Sequence, residues 1–315
     1  MRHGPTTTAE SLECAILLGT KNGAPFVEEQ LQSFIAQSHC KWRLYVSDDQ
    51  STDETLGIIR RFAETHKLCI SIRQGPNDGL ARNFITLAQD PSINAAFYAF
   101  SDQDDVWFTT KLERAIEALR QIPPSLPAMY CSRTEIVDEH QNHRGYSPIP
   151  NKPPSFKNAL VQNICAGNTM VFNCAAKRLL EAAGGVQVVL HDWWVYLAVS
   201  GAGGIVIYDP HPTLKYRQHA NNMVGFNRSL KARALRLKMR LKGRQRGWNE
   251  TNISALRKIS ALLNLDSQKA LEHFATARSK PSAVARVYYL LKSGVYRQAV
   301  SSQLALILAA CIKRI

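Results

Sequence analysis

Short apolar runs and amphipathic stretches alternate along residues 14–121. Residues 14–19 (CAILLG) are apolar without a break, as in a strand buried on both faces. Residues 25–38 place Leu31, Phe34 and Ile35 at helical spacing, with Glu28 and Glu29 near the start, where a helix dipole favours acids. Strand-like runs recur at 42–47 (WRLYVS), 68–73 and 96–100 (AFYAF). Helical stretches follow at 51–65, 78–88 and 110–121. The first of these has Ser51 or Thr52 as a candidate cap and Ile58, Ile59 and Phe62 as its apolar face. In the second, Leu80, Phe84 and Leu87 align. This βαβαβαβα order predicts an α/β fold, a mostly parallel central sheet flanked by helices. Such sheets bind ligands at the carboxyl ends of their strands.

The rhythm loosens after Met129. Residues 139–156 are rich in Pro, Asn and His and predict a long surface loop. Strands at 169–172 and 205–208 and a helix from Asp192 complete a first domain, residues 1–225. Residues 226–315 are helix-forming, with a break at Lys280-Pro281.

Charge divides the chain the same way. The 315 residues carry a net +14, but residues 1–227 hold 20 basic and 22 acidic residues, a net of −2. Residues 228–315 hold 19 basic and 3 acidic residues, a net of +16. That split argues for two units with different partners, and against a chain whose whole surface grips nucleic acid. With 45% hydrophobic and 20% charged residues, wholesale disorder is excluded. No apolar stretch follows Met1, so a secretory signal is not expected. The longest apolar run, 304–312, is nine residues, against about 20 for a membrane span. Seven scattered cysteines without a CxxC pair read as reduced thiols of a cytosolic protein, not as disulfides or a zinc site.

Four clusters carry candidate chemistry. Ser101-Asp102-Gln103-Asp104-Asp105 follows the AFYAF run. Three carboxylates in four residues repel one another, and Mg²⁺ or Mn²⁺ resolves that conflict; a solvated acidic turn is the plain alternative. Asp48-Asp49 follows WRLYVS and would face the same sheet edge, although Asp also caps helices. His191-Asp192-Trp193-Trp194 opens a helix and offers either a cap or a carboxylate base beside aromatic walls. Tyr216-Arg217-Gln218-His219-Ala220-Asn221-Asn222 combines groups suited to phosphate or metal.

In chain order, LLGTKNGAPFVEEQLQSFIAQSH, VSDDQSTDET, GLARNF, FSDQDDVW, HDWW and YRQHANN resemble the inverting family 2 glycosyltransferases, in their bacterial rhamnosyltransferase-like branch. The resemblance covers roughly residues 13–225. It implies a GT-A type nucleotide-diphospho-sugar transferase fold for 1–225, with 226–315 as a basic helical extension. It also implies a divalent cation and a nucleotide-diphosphate sugar as donor. Thr20 and Asn22 would lie against the nucleotide, and Asp49 would accept from the base's imide N–H. Asp104 would approach the ribose or the metal, Asp105 would bind the metal, and His219 would complete its shell. Asp102 is a further candidate. Asp192 matches the general base, and Arg82 and Asn83 face the donor. Lys21 departs from the family, whose members usually carry an aromatic there; its stem would cover the base or its ammonium reach phosphate. Trp193, Trp194 and residues 139–156 would form the acceptor wall.

Residues 229–242 alternate apolar and basic side chains of helix-forming types. As a helix they would carry two apolar stripes separated by two basic ones. We expect 228–315 to meet an anionic membrane surface, where each basic residue contributes about 1 kcal/mol. The enzyme would then be cytoplasmic and peripheral at the inner face of the membrane, acting on a glycan or lipid-linked acceptor. The competing readings are a nucleotidyltransferase, for which Gly19-Thr20-Lys21-Asn22-Gly23 is a poor phosphate loop, and a degenerate transferase serving as a binding scaffold.

Overall fold

A computed structural model describes residues 13–219 and 244–315. Its centre is β1 (Cys14–Thr20), every residue of which is buried. Parallel neighbours are β2 (Trp42–Asp48) on one side and β4 (Phe97–Ser101) on the other, with β3 (Ile70–Gln74) beyond β2. Past β4 the sheet turns mixed. The short β8 (Val171–Asn173) runs antiparallel between β4 and β6 (Ala128–Val137), and β9 (Ile205–Arg217) lies parallel to β6. β5 (Val106–Trp107) pairs antiparallel with the end of β9, and β7 (His143–Tyr146) forms a hairpin on β6.

The helices are α1 (Val27–Ile35), α2 (Thr55–Thr65), α3 (Gly79–Ala88), α4 (Lys111–Leu119), α5 (Phe156–Ala159), α6 (Cys174–Ala183) and α7 (His191–Gly201). In the C-terminal region α8 (Arg244–Lys258), α9 (Leu265–Ser279), α10 (Ala283–Lys292) and α11 (Val300–Cys311) follow. Side chains alternate across β1, so its unbroken apolar run feeds two cores. Ala15 and Leu17 join Phe84, Phe172 and Trp194 on one face. Cys14, Ile16 and Leu18 join Phe34, Leu44, Ile59 and Trp107 on the other. The first core continues into Leu256, Phe274 and Leu290 of the C-terminal helices. α7 lies inside this core, and every residue of it except Asp192 is buried.

Several local expectations need correction. Ser51 does not cap α2; its N–H and hydroxyl go back to the Asp48 carboxylate at 2.8 and 2.6 Å, and the helix starts only at Thr55. The strand expected at 169–172 begins later, because Gly167–Thr169 form a 3₁₀ turn. The strand expected at 205–208 runs on to Arg217, since β6 and β5 offer it partners along that length. The stretch 139–156 contains β7 and is not all loop. Residues 229–242, the 225/226 boundary, Asn221 and Asn222 lie outside the described residues. Among the described residues, no helix is long and apolar enough to cross a membrane.

Candidate active site

β1, β2 and β4 end at one edge, with Thr20 opposite Asp48 and Leu18 opposite Ser101. The Thr20 hydroxyl donates to Asp48 Oδ1 at 2.7 Å, so Asp48 organises the edge. Asn22 is in the left-handed region (φ +50°), and its Oδ1 accepts from Thr52 N at 2.8 Å. Asp49 is buried; its Oδ1 accepts from Asn77 N at 2.6 Å, and its Oδ2 is 3.8 Å from Lys21 Nζ. Lys21 Nζ also donates to Asn77 Oδ1 at 3.2 Å, so this lysine lies across the Asp49 pocket. Asn83 is buried and bonded to Ser47, donating to its carbonyl at 2.8 Å, whereas Arg82 is half-buried beside it.

The acidic loop leaves β4 at the same edge. One ligand oxygen from each of Asp102, Asp104 and Asp105 lies within 4.8 Å of the others. Gln103 points the other way and clasps the Lys21 backbone, accepting from its N–H at 2.8 Å and donating to its carbonyl at 2.9 Å. Asp105 is fully buried: its Oδ2 accepts from Asn168 Nδ2 at 2.6 Å, while its Oδ1 has no hydrogen-bond partner among the described residues. Burial, then the charges of Asp104 and Asp102, hold the Asp105 carboxyl well above the usual range. Burial, then the Asp104 and Asp192 carboxylates, push Asp102 up to about 8. Three crowded carboxylates, one with an orphaned buried oxygen, fit a divalent cation with oxygen ligands.

A buried cation already stands beside them. Lys111, the first residue of α4, is fully buried and donates to the Asn168 carbonyl at 2.7 Å, with Nζ 4.5 Å from the Trp107 ring centre. Burial lowers its ammonium to about 7, opposed first by Asp105.

Three further groups close the edge. His219 Nε2 is 2.8 Å from Asp104 Oδ2, and its ring stacks on Phe26 at 4.9 Å. Arg217 is buried; its Nε donates to the Asp104 carbonyl at 3.0 Å and its Nη1 to the Glu139 carbonyl at 2.8 Å, while Nη2 pairs with Glu29. Asp192, in the first turn of α7, accepts from Gly167 N at 3.1 Å and Trp193 N at 2.6 Å. Burial pushes its carboxyl up to about 6, although both backbone bonds favour the charged form.

The structure thus brings Asp102, Asp104, Asp105, His219 and Asp192 to the edge that carries Thr20, Asn22 and Asp49. It does not support Trp193 and Trp194 as acceptor wall. They are 3% and 0% exposed, packed inside the core, and Trp193 Nε1 donates to the Ala159 carbonyl at 2.7 Å. Sequence reading missed Lys111 and Asn168, because a lysine opening an amphipathic helix looks like a solvated residue. It also missed Gly167, where a Cβ would collide with His191 Nε2 and lie 3.2 Å from Asp192 Cβ.

A parallel half, a mixed second half and carboxylates at the junction define a GT-A glycosyltransferase. The chain belongs to glycosyl transferase family 2, which residues 15–180 match. It is 32% identical over 229 residues to the dTDP-rhamnosyl transferase RfbG of Shigella flexneri, spanning 70% of this chain and 78% of that protein. Among solved structures, the mannosyltransferase PcManGT of Pyrobaculum calidifontis, in complex with GDP-Man and Mn2+, shares the fold at TM-score 0.53 and 18% identity, over 96% of this chain and 86% of that one. S. aureus TarS 1-349, in complex with UDP-GlcNAc, does so at 0.56 and 14%, over 96% and 88%.

Proposed function

We propose that the protein transfers a sugar, rhamnose by preference, from a nucleotide-diphosphate donor to a hydroxyl of a glycan or lipid-linked acceptor during cell-surface polysaccharide synthesis. The transfer is metal-dependent and inverts the anomeric centre. The carrying observation is the meeting of a three-carboxylate cluster with Asp192, whose carboxyl burial pushes up to about 6, at one sheet edge. Support for rhamnose is the likeness to the dTDP-rhamnosyl transferase RfbG. The membrane side of the reading rests on the basic charge of 228–315.

The nucleotide lies over Thr20, Asn22 and Asp49, with Arg82 at the donor's flank. Lys21, already against Asp49, takes the place of a stacking ring. Asp104 and Asp105, with Asp102 and His219 beside them, hold the Mg²⁺ or Mn²⁺. When bound, the cation neutralises charge on the departing diphosphate. Asp192 takes the proton of the attacking hydroxyl as the new oxygen–carbon bond forms and the bond to the donor phosphate breaks. The N–H groups of Gly167 and Trp193 fix that carboxylate in orientation, which is what a positioned base needs.

A panel of nucleotide sugars, assayed for thermal stabilisation and for slow hydrolysis with and without Mn²⁺, tests the donor. Product NMR then reads the anomeric configuration. Retention of configuration, or turnover untouched by chelation, would sink this mechanism.

A further inference from the structure

The pair α10 and α11 packs with one face inward and leaves the other in solvent. Leu290 and Arg286 of α10, and Leu306 and Ala310 of α11, are buried. On the outer side α10 shows Val284, Tyr288 and Leu291. At intervals of one turn, α11 shows Val300, Leu304 and Leu308, and Ile312 follows directly. Each of these seven is between 56% and 80% exposed. Single exposed apolar residues need no explanation, but a ridge along two packed helices does.

The segment that carries the ridge is charged with one sign. The last acidic residue of the chain is Glu272; residues 273–315 hold seven Lys and Arg and no acid. Three of the seven are structural: Arg278 donates to the Ile315 carbonyl at 3.1 Å and pairs with Glu250 at 2.9 Å. Arg286 donates to the Ala310 and Cys311 carbonyls at 2.6 and 2.5 Å, tying α10 to the end of α11, and Arg297 is buried. Lys292, Lys313 and Arg314 are exposed. Lys292 Nζ is 5.8 Å from the Tyr288 ring centre, and Lys280 Nζ is 5.4 Å from that of Tyr289. Apolar side chains rimmed by lysines over tyrosine rings are the chemistry of a helix lying in the headgroup layer of an anionic bilayer. At about 1.5 Å per residue α11 is too short to span a bilayer, so it can only lie along one. A second copy of the chain suits the surface poorly, because two copies of a basic segment without acids repel.

We propose that the α10–α11 ridge is the membrane-docking surface of this enzyme, seated in the interface of an anionic phospholipid bilayer. This rests on, and localises, the membrane side of the proposed function. The connection between the two helices is bound to the segment that leads into the site. Tyr296 takes the Ser155 hydroxyl bond at 2.9 Å, its carbonyl accepts from Asn158 Nδ2 at 3.0 Å, and Gln298 N donates to Gln162 Oε1 at 2.9 Å. Docking would therefore hold the Gly167–Asp192 side of the site at a fixed height above the lipid.

The test is flotation of the full chain with vesicles of phosphatidylglycerol and phosphatidylethanolamine, against phosphatidylcholine alone. The wild type should bind the anionic vesicles and Leu304→Glu/Leu308→Glu should lose about tenfold or more in affinity, with an unchanged melting curve. Lys292→Glu/Lys313→Glu should weaken binding without touching the apolar ridge. Nucleotide-sugar hydrolysis, read in solution without lipid, should be equal in all three proteins. Equal anionic-vesicle binding by wild type and the Leu variant would overturn the proposal, as would no binding by either. A wild-type dimer that the Leu variant dissolves would overturn it in favour of a second copy. Vesicle binding and oligomeric state are independent of turnover, so the surface can fail while the transferase reading stands.

Discussion

Asn168 donates its side-chain amide to Asp105 at 2.6 Å, and its carbonyl takes the Lys111 ammonium at 2.7 Å. One residue thus joins a buried carboxylate to a buried cation. Removing one partner of such a set leaves a buried polar group unsatisfied, which costs about 1–3 kcal/mol. Lys111→Met should lower the melting temperature of the metal-free protein, and Mn²⁺ should restore more stability to it than to wild type. Thermal denaturation with and without the ion reads both. An unchanged metal-free melting point would show that Lys111 is not the counter-charge.

Asp192→Asn should reduce transfer by roughly 10²–10⁴-fold while nucleotide affinity persists. In the proposed role the active form is the carboxylate, and burial pushes its carboxyl up from 3.8 to about 6. Transfer should therefore level off above about pH 6 and be lost below it. The same shift has the opposite sign for stability: the folded state favours the protonated carboxyl, so this group's contribution is full below 3.8 and is lost as pH rises through about 6. A transfer rate flat from pH 5 to 8 under saturating substrate would contradict the assignment.

Gly167→Ala should act on chemistry more than on binding. The added methyl collides with His191, whose ring stacks on Phe84 at 4.2 Å, and lies against Asp192. Displacing the base by about an ångström costs on the order of 10²-fold in turnover. A fall in kcat with an unchanged donor KM is the expected pattern; a change confined to KM would point elsewhere.

His219→Ala removes the partner of Asp104 Oδ2. The Mn²⁺ concentration for half-maximal activity should rise roughly 10–100-fold, as for loss of a ligand or its support. Calorimetric titration of the ion into the two proteins checks this directly, and equal affinities would remove His219 from the site.

The parallel half of the fold was legible because β1 and β4 are continuous apolar runs and β2 is mostly apolar, each leading directly into the polar groups of the edge. The mixed half was less so. β8 is three residues long and exists only because β4 and β6 flank it, a pairing no local pattern reveals. The acidic cluster could be read from spacing, but its neighbours could not. Lys111 is one position of an amphipathic helix, and only the fold turns it inward. HDWW misled in the other direction: aromatics beside an acid suggested a binding wall, whereas α7 is enclosed by sheet and C-terminal helices and needs those rings as packing.

The acidic loop leaves the sheet at the end of β4 and rejoins it at β5, where Val106 and Trp107 pair with Lys215 and Leu214. Between these two anchors Gln103 is fastened to Lys21 and the Asp104 carbonyl to Arg217. Mutual repulsion would spread three carboxylates on a free chain; here the anchors at both ends of the loop keep them within reach of one another. Burial and crowding instead push Asp102 and Asp105 towards the protonated form, so a cation entering the loop displaces protons and has little chain left to order.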